Sequence, residues 1–155
     1  MTVPRKTQAR HSPRCQDPPP RALLAGIEQF NRGEFWEQHE TLEAIWIRES
    51  DPVRYLYQGI LQVGVGFYHW RRGNRHGALT KLAQGLEKLQ PYRPACMEVD
   101  VERLVEETTA LLEQVRAEAE LPPFPGADLP RIRLTGPTPE DQARKRPGAS
   151  PAVQA

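Results

Sequence analysis

The stretch YLYQGILQVGVGFYHW, from Tyr55 to Trp70, constrains the fold more than any other part of the chain. It is apolar nearly all the way round a helical projection, so a helix formed there has no face for water and must be enclosed by other elements. Gln58, Gln62 and His69 interrupt it, and it is shorter than the ~20 apolar residues that cross a bilayer. The stretch is expected as the central, most buried helix of a domain.

Around it, apolar residues recur at spacings of three and four, and no run alternates as strands between hairpin turns do. The pattern predicts an all-α protein, a compact bundle of about five helices. The first, about 21–31, presents Leu23, Leu24, Ile27 and Phe30; the second, about 34–48, presents Phe35, Trp36, Leu42, Ile45 and Trp46. The third opens at SDP, residues 50–52, with Ser50 or Asp51 as N-cap and Pro52 where a missing N–H costs nothing. It runs to about Arg72. Gly33 and Gly73 stand where a left-handed residue ends a helix, and Asn74 can cap the fourth helix, about 75–89. A fifth, about 100–118, carries Val101, Leu104, Val105, Leu111, Leu112 and Val115 inward.

Laying Gly33 on Gly73 aligns two helix-glycine-helix units with a period of 40, near tetratricopeptide-like spacing. Two helical hairpins are fewer than the three or so units that make a stable solenoid. They are expected to close into a bundle with the C-terminal helix.

Charge and proline mark the boundaries. Residues 1–20 carry four basic side chains against one acidic, residues 21–120 twelve against sixteen, and residues 121–155 five against three. Thirteen of the 16 prolines lie outside 21–120, and every Trp and Tyr lies inside. The domain is therefore expected at 21–120. Residues 1–20 read as a disordered basic, Pro-rich tail with too little apolar surface to offset its ordering entropy. Residues 121–134, LPPFPGADLPRIRL, read as an extended segment packed on the domain, and 135–155 as a second disordered tail. Cys15 and Cys96 form neither a disulfide framework nor a zinc spacing and are expected as free thiols. The start has no apolar h-region of a secretory signal, so a cytoplasmic location is the expectation.

The polar residues within apolar helices are the candidates for function. His39 and Glu43 are four apart in HETLE, an HExxE pattern, and share a face with Trp36 and Trp46; Glu40 lies about 100° round the helix. Gln58, Gln62 and His69 form a facing stripe on the third helix. Buried groups of this kind are costly unless partnered, so one network joining His39 and Glu43 to Gln58, Gln62 or His69 is the economical arrangement.

Three readings of that cluster stand side by side: a structural polar core that sets helix register, a metal site, and a metal-free binding or acid–base pocket. A divalent metal would take His39, Glu43 and His69 or Glu40, as in a metal-dependent hydrolase. However, HETLE has Glu43 where the zincin motif needs its second histidine, and WEQH has Trp36 where a di-iron bundle needs glutamate. No cofactor is certain. Arg71, Arg72, Asn74 and Arg75 with His76 are a possible anion site beside a helix N-terminus. The acidic body argues against a nucleic-acid partner, and nothing points to a membrane. The expected partner is an unknown protein or a small ligand, on a monomer or small homo-oligomer. A peptide-binding helical-hairpin module is the alternative to a ligand pocket.

The segments FNRGEFWEQHETLEAIW and YLYQGILQVGVGFYHWRRGNRHGALTKLAQGLEKL carry a further resemblance. Their HE-x-x-E-x-x-W, QG-x-x-Q and GN-x-x-GA patterns resemble the small bacterial and plastid family catalogued as domain of unknown function 309, over about residues 22–115. The resemblance implies an all-α helical bundle and no established activity. The matching positions are Asn31, Gly33, His39, Glu40, Glu43, Trp46, Gln58, Gly59, Gln62, Gly73, Asn74, Gly77 and Ala78.

Overall fold

The computed structural model describes residues 8–136. Five helices form, α1 (Arg21–Asn31), α2 (Phe35–Arg48), α3 (Arg54–Arg71), α4 (Arg75–Leu89) and α5 (Val101–Ala117), with a small antiparallel hairpin of β1 (Ala95–Cys96) and β2 (Val99–Asp100) before α5. As its composition requires, α3 is the hub. It packs on α2 and on α4, while α1 extends the stack beyond α2 and α5 beyond α4.

The two hairpins close with the same device. Gly33 and Gly73 take φ of 76° and 79°, a conformation that a Cβ disfavours. In each turn the glycine N–H returns to the carbonyl three residues back (Phe30, Trp70). The following N–H returns to the carbonyl five back (Gln29, His69), at 2.8–2.9 Å.

 The second pair runs from Glu34 to the Gln29 carbonyl and from Asn74 to the His69 carbonyl. The α4 N-terminus is completed by the Asn74 side chain, which accepts from the Gly77 N–H at 2.9 Å. At the start of α3, Asp51 accepts from Val53 N–H at 2.8 Å, one turn ahead of the first regular helical residue.

The core runs through all five helices. Phe30 and Phe35 meet edge to face at 5.4 Å, and Phe67 lies 6.2 and 5.8 Å from them. Where α3 meets α4 the backbones touch: a Cβ on Gly85 would stand 2.8 Å from the Gly59 carbonyl oxygen. The glycines of the central helix, Gly59, Gly64 and Gly66, serve helix contact, each lying against a side chain of α2 or α4.

Two expectations fail at the N-terminal side. Cys15 and Cys96 are joined in a disulfide, so the described chain has no free thiol. From residue 8 the supposed tail is an ordered strap with a 3-10 turn at Pro13–Gln16. The expectation rested on apolar surface alone, whereas the strap is held mainly by polar contacts. Met97 N–H donates to the Cys15 carbonyl at 2.8 Å, Ser12 donates to Asp51 at 2.7 Å, and Arg14 pairs with Glu49 at 3.1 Å. The hairpin beside the strap turns through Met97 and Glu98, at φ of 50° and 62°. It has none of the Asn-Gly or Asp-Gly chemistry that would announce such a turn in sequence. Residues 1–7 of the expected N-terminal tail lie outside the described residues.

Residues 121–134 run over the body, with a 3-10 turn at Gly126–Asp128 between their two ends. The Trp70 indole N–H donates to the Pro122 carbonyl at 2.7 Å, and Phe124 meets the Trp70 ring edge at 6.1 Å. Asn31 then pairs with Ile132 as a strand would, donating to its carbonyl at 3.0 Å and accepting its N–H at 2.7 Å. The expected second tail lies outside the described residues from position 137 onward. Among the described residues, no helix is long and apolar enough to cross a membrane.

Candidate functional site

On α2, His39, Glu43 and Trp46 fall on one face at helical spacing; on α3, Gln58, Leu61, Gln62 and Val65 do the same. Helix packing turns these faces toward each other, and Lys81 of α4 reaches the gap. Together the eight side chains line a cavity of about 200 Å³.

His39 Nε2 lies 3.3 Å from Glu43 Oε2. That pairing places a proton on Nε2 and leaves Nδ1 as an acceptor in the neutral ring, and Nδ1 is buried with no partner among the described residues. The ring stacks on Trp36 at 5.2 Å, and Trp36 continues to Tyr68 at 5.5 Å. Trp46 presents its ring to the Arg54 guanidinium at 5.5 Å, while its indole N–H is buried and unpartnered. Gln58 Oε1 and Gln62 Oε1 are likewise buried without a partner, and Gln62 as a whole is only 8% exposed.

The polar stripes therefore converge as their spacing predicts, yet the single network does not form. Among the described cluster residues, only His39 and Glu43 pair with each other. His69 lies nearby but faces elsewhere, with its Nδ1 3.4 Å from the Asn74 amide nitrogen. Burial holds its pKa below the ordinary value, with Lys81 and Arg72 adding to the effect. Glu40 is exposed. Among the described residues no three His, Cys, Asp or Glu side chains are grouped to hold a metal ion, so the expected triad of His39, Glu43 and His69 is not assembled. Three ligands must converge within about 2.3 Å of one point, and His69 belongs to the α3–α4 turn instead.

The basic turn also disperses. Arg71 donates to the Gly33 carbonyl at 2.8 Å, Arg72 lies 5.5 Å from the Tyr68 ring centre, and Arg75 donates to the Val115 and Glu118 carbonyls at 3.1 and 2.9 Å. Asn74 is occupied as the α4 cap. These cations tie elements together rather than converge on an anion.

Two residues escaped sequence reasoning. Lys81 shares the inward register of Ala78, Leu82 and Gly85, which would have placed it at the α3–α4 seam. Gln38 follows Phe35 by three and precedes Leu42 by four, hence lies on the inner face of α2. It is wholly buried, and its amide donates to the Phe35 carbonyl at 3.3 Å.

A larger groove of about 480 Å³ runs between α1 and the C-terminal strap, lined by Leu24, Ile27, Asn31, Arg131 and Leu134 among others. It is more open and gathers none of the buried, unpartnered polar atoms. The smaller cavity is the stronger candidate.

The chain is similar to "Uncharacterized protein YpuF" of Bacillus subtilis (strain 168), 30% identical over 100 residues, which are 62% of this chain and 58% of that protein. This chain thus spans little more than half the length of that relative. Every side chain that lines the cavity lies within residues 23–81, and this segment matches the family described as Domain of unknown function (DUF309), the family that the sequence motifs resemble.

Proposed function

We propose that this chain is a binding domain that takes a small polar ligand in the cavity between α2, α3 and α4. One observation carries the reading: His39, Trp46, Gln58 and Gln62 each line the cavity and each keep a buried polar atom with no partner among the described residues. Leaving such an atom unpaired costs about 1–3 kcal/mol, a large share of the ~5–15 kcal/mol by which a domain is stable. Four around one cavity is a donor and acceptor set suited to a molecule that supplies the complementary groups. Leu61, Val65 and the Trp46 ring add the apolar surface that small-molecule sites need.

Thermal-shift screening of the full chain against small polar molecules, followed by amide chemical-shift mapping, tests this. Hits that raise the melting temperature and move the amides of 39–46 and 58–65 support the reading. A screen whose hits all map elsewhere, or that gives none, overturns it.

A second reading has its own observation. Trp36 is 50% exposed and leans on both Tyr68 and His39 at the edge of the cavity. An aromatic face of this kind suits recognition of a protein partner. In that case Trp36→Ala abolishes complex formation while substitutions inside the cavity leave it intact.

A further inference from the structure

Resting on the reading of the cavity as a ligand site, we infer that its ligand is an amino-acid-sized zwitterion, an ammonium and a carboxylate on a short aliphatic body. The cavity wall carries one anion, Glu43, and one cation, Lys81. These opposite charges do not pair with each other; Glu43 is paired with His39, and among the described residues Lys81 has no carboxylate partner. The Lys81 ammonium donates to Gln84 Oε1 at 3.2 Å, which uses one of its three N–H groups. Two donors and the full charge remain for a carboxylate.

The acceptors in the lining favour an ammonium. Among the described residues Glu43 accepts only from His39 and retains lone pairs, the unpartnered Gln58 Oε1 and Gln62 Oε1 are acceptors, and so is His39 Nδ1 in the neutral ring. A charged donor among four acceptors makes charge-assisted hydrogen bonds, stronger than neutral ones. A ligand with only one charge would leave either Glu43 or Lys81 without a counter-charge from the ligand.

Size narrows the class. About 200 Å³ lies below the ~300–1,000 Å³ of sites for drug-sized molecules and equals roughly seven water-sized volumes of ~30 Å³. That suits the heavy-atom count of a small aliphatic α-amino acid, whose side chain would lie on Leu61 and Val65.

The test uses the full chain, isotope-labelled, and three probes: L-valine, 3-methylbutanoate, which lacks the ammonium, and 2-methylpropylamine, which lacks the carboxylate. L-Valine is expected to move the cavity amides with an affinity at least about tenfold tighter than either relative. Lys81→Met should erase its advantage over the amine, and Glu43→Gln its advantage over the carboxylate. Both changes are near-isosteric at partly exposed positions, and unchanged amides in α5 report an intact fold. Equal binding of a singly charged probe at the cavity overturns the zwitterion and leaves the ligand site standing. No cavity response to L-valine also overturns it, and the wider screen then decides the ligand site separately.

Discussion

Gln38 of α2 is seated on Gly64 of α3: a Cβ at position 64 would stand 2.6 Å from the Gln38 amide nitrogen and 2.8 Å from its amide carbon and oxygen. A wholly buried polar side chain on one helix is thus accommodated by the missing side chain of the next. The contact sets how closely α2 and α3 approach, and with it the width of the cavity they share.

Gly64→Ala is expected to destabilise the protein by about 1–3 kcal/mol, since the buried amide has no route to solvent when a methyl group enters its place. In a Gly64→Ala, Gln38→Ala double variant the methyl occupies space that the glutamine has vacated. Denaturant unfolding of the four proteins should give a coupling of about 1 kcal/mol or more in the compensating direction. Additive losses would show that the two residues are independent.

Gln62→Met separates a binding role from a structural one. The Gln62 carbonyl oxygen has no partner to lose, so an apolar side chain of similar shape should leave stability unchanged or raise it by about 1 kcal/mol. Ligand-induced thermal shifts should fall at the same time. A loss of stability of about 1–3 kcal/mol would instead identify Gln62 as part of a satisfied structural network.

The disulfide between Cys15 and Cys96 closes a loop with a sequence separation of 81. Its removal by Cys15→Ala, or by reductant on the wild type, is expected to lower stability by about 2–4 kcal/mol. The strap around Ser12 and Arg14 should become the first site cut in limited proteolysis. A wild type whose unfolding curve ignores reductant would show that the thiols are unpaired in solution.

His69 makes stability depend on pH. Because burial, Lys81 and Arg72 depress its folded pKa below the ordinary 6.5, the unfolded chain binds the proton more readily than the folded one. The stability contributed by the neutral ring is fully present above that ordinary value and is lost as pH falls through the lowered folded value. Melting temperatures measured from about pH 7.5 down to about 5.5 should fall more steeply for wild type than for His69→Gln. Parallel curves would remove His69 as the cause.

Some features are local enough to read from the chain. The five helices follow from apolar spacing, and Gly33, Gly73 and Asn74 terminate or cap them through contacts within a few residues. The convergence of His39 and Glu43 with Gln58 and Gln62 was legible for the same reason, since periodicity fixes which residues share a face. Lys81 and Gln38 obey that rule too, but neither belongs to a stripe of histidine and carboxylate that would set it apart from an ordinary helix residue.

The helices, their inward faces and their ends can be read from the residues alone, because they depend on interactions within a turn or two of the chain. That Cys15 meets Cys96, that His69 turns to Asn74, and that among the described residues the Gln58 and Gln62 carbonyls stay unpartnered around a cavity emerges only when the helices pack. Those outcomes depend on how separate elements are placed to within an ångström, which is the scale on which a hydrogen bond forms or fails.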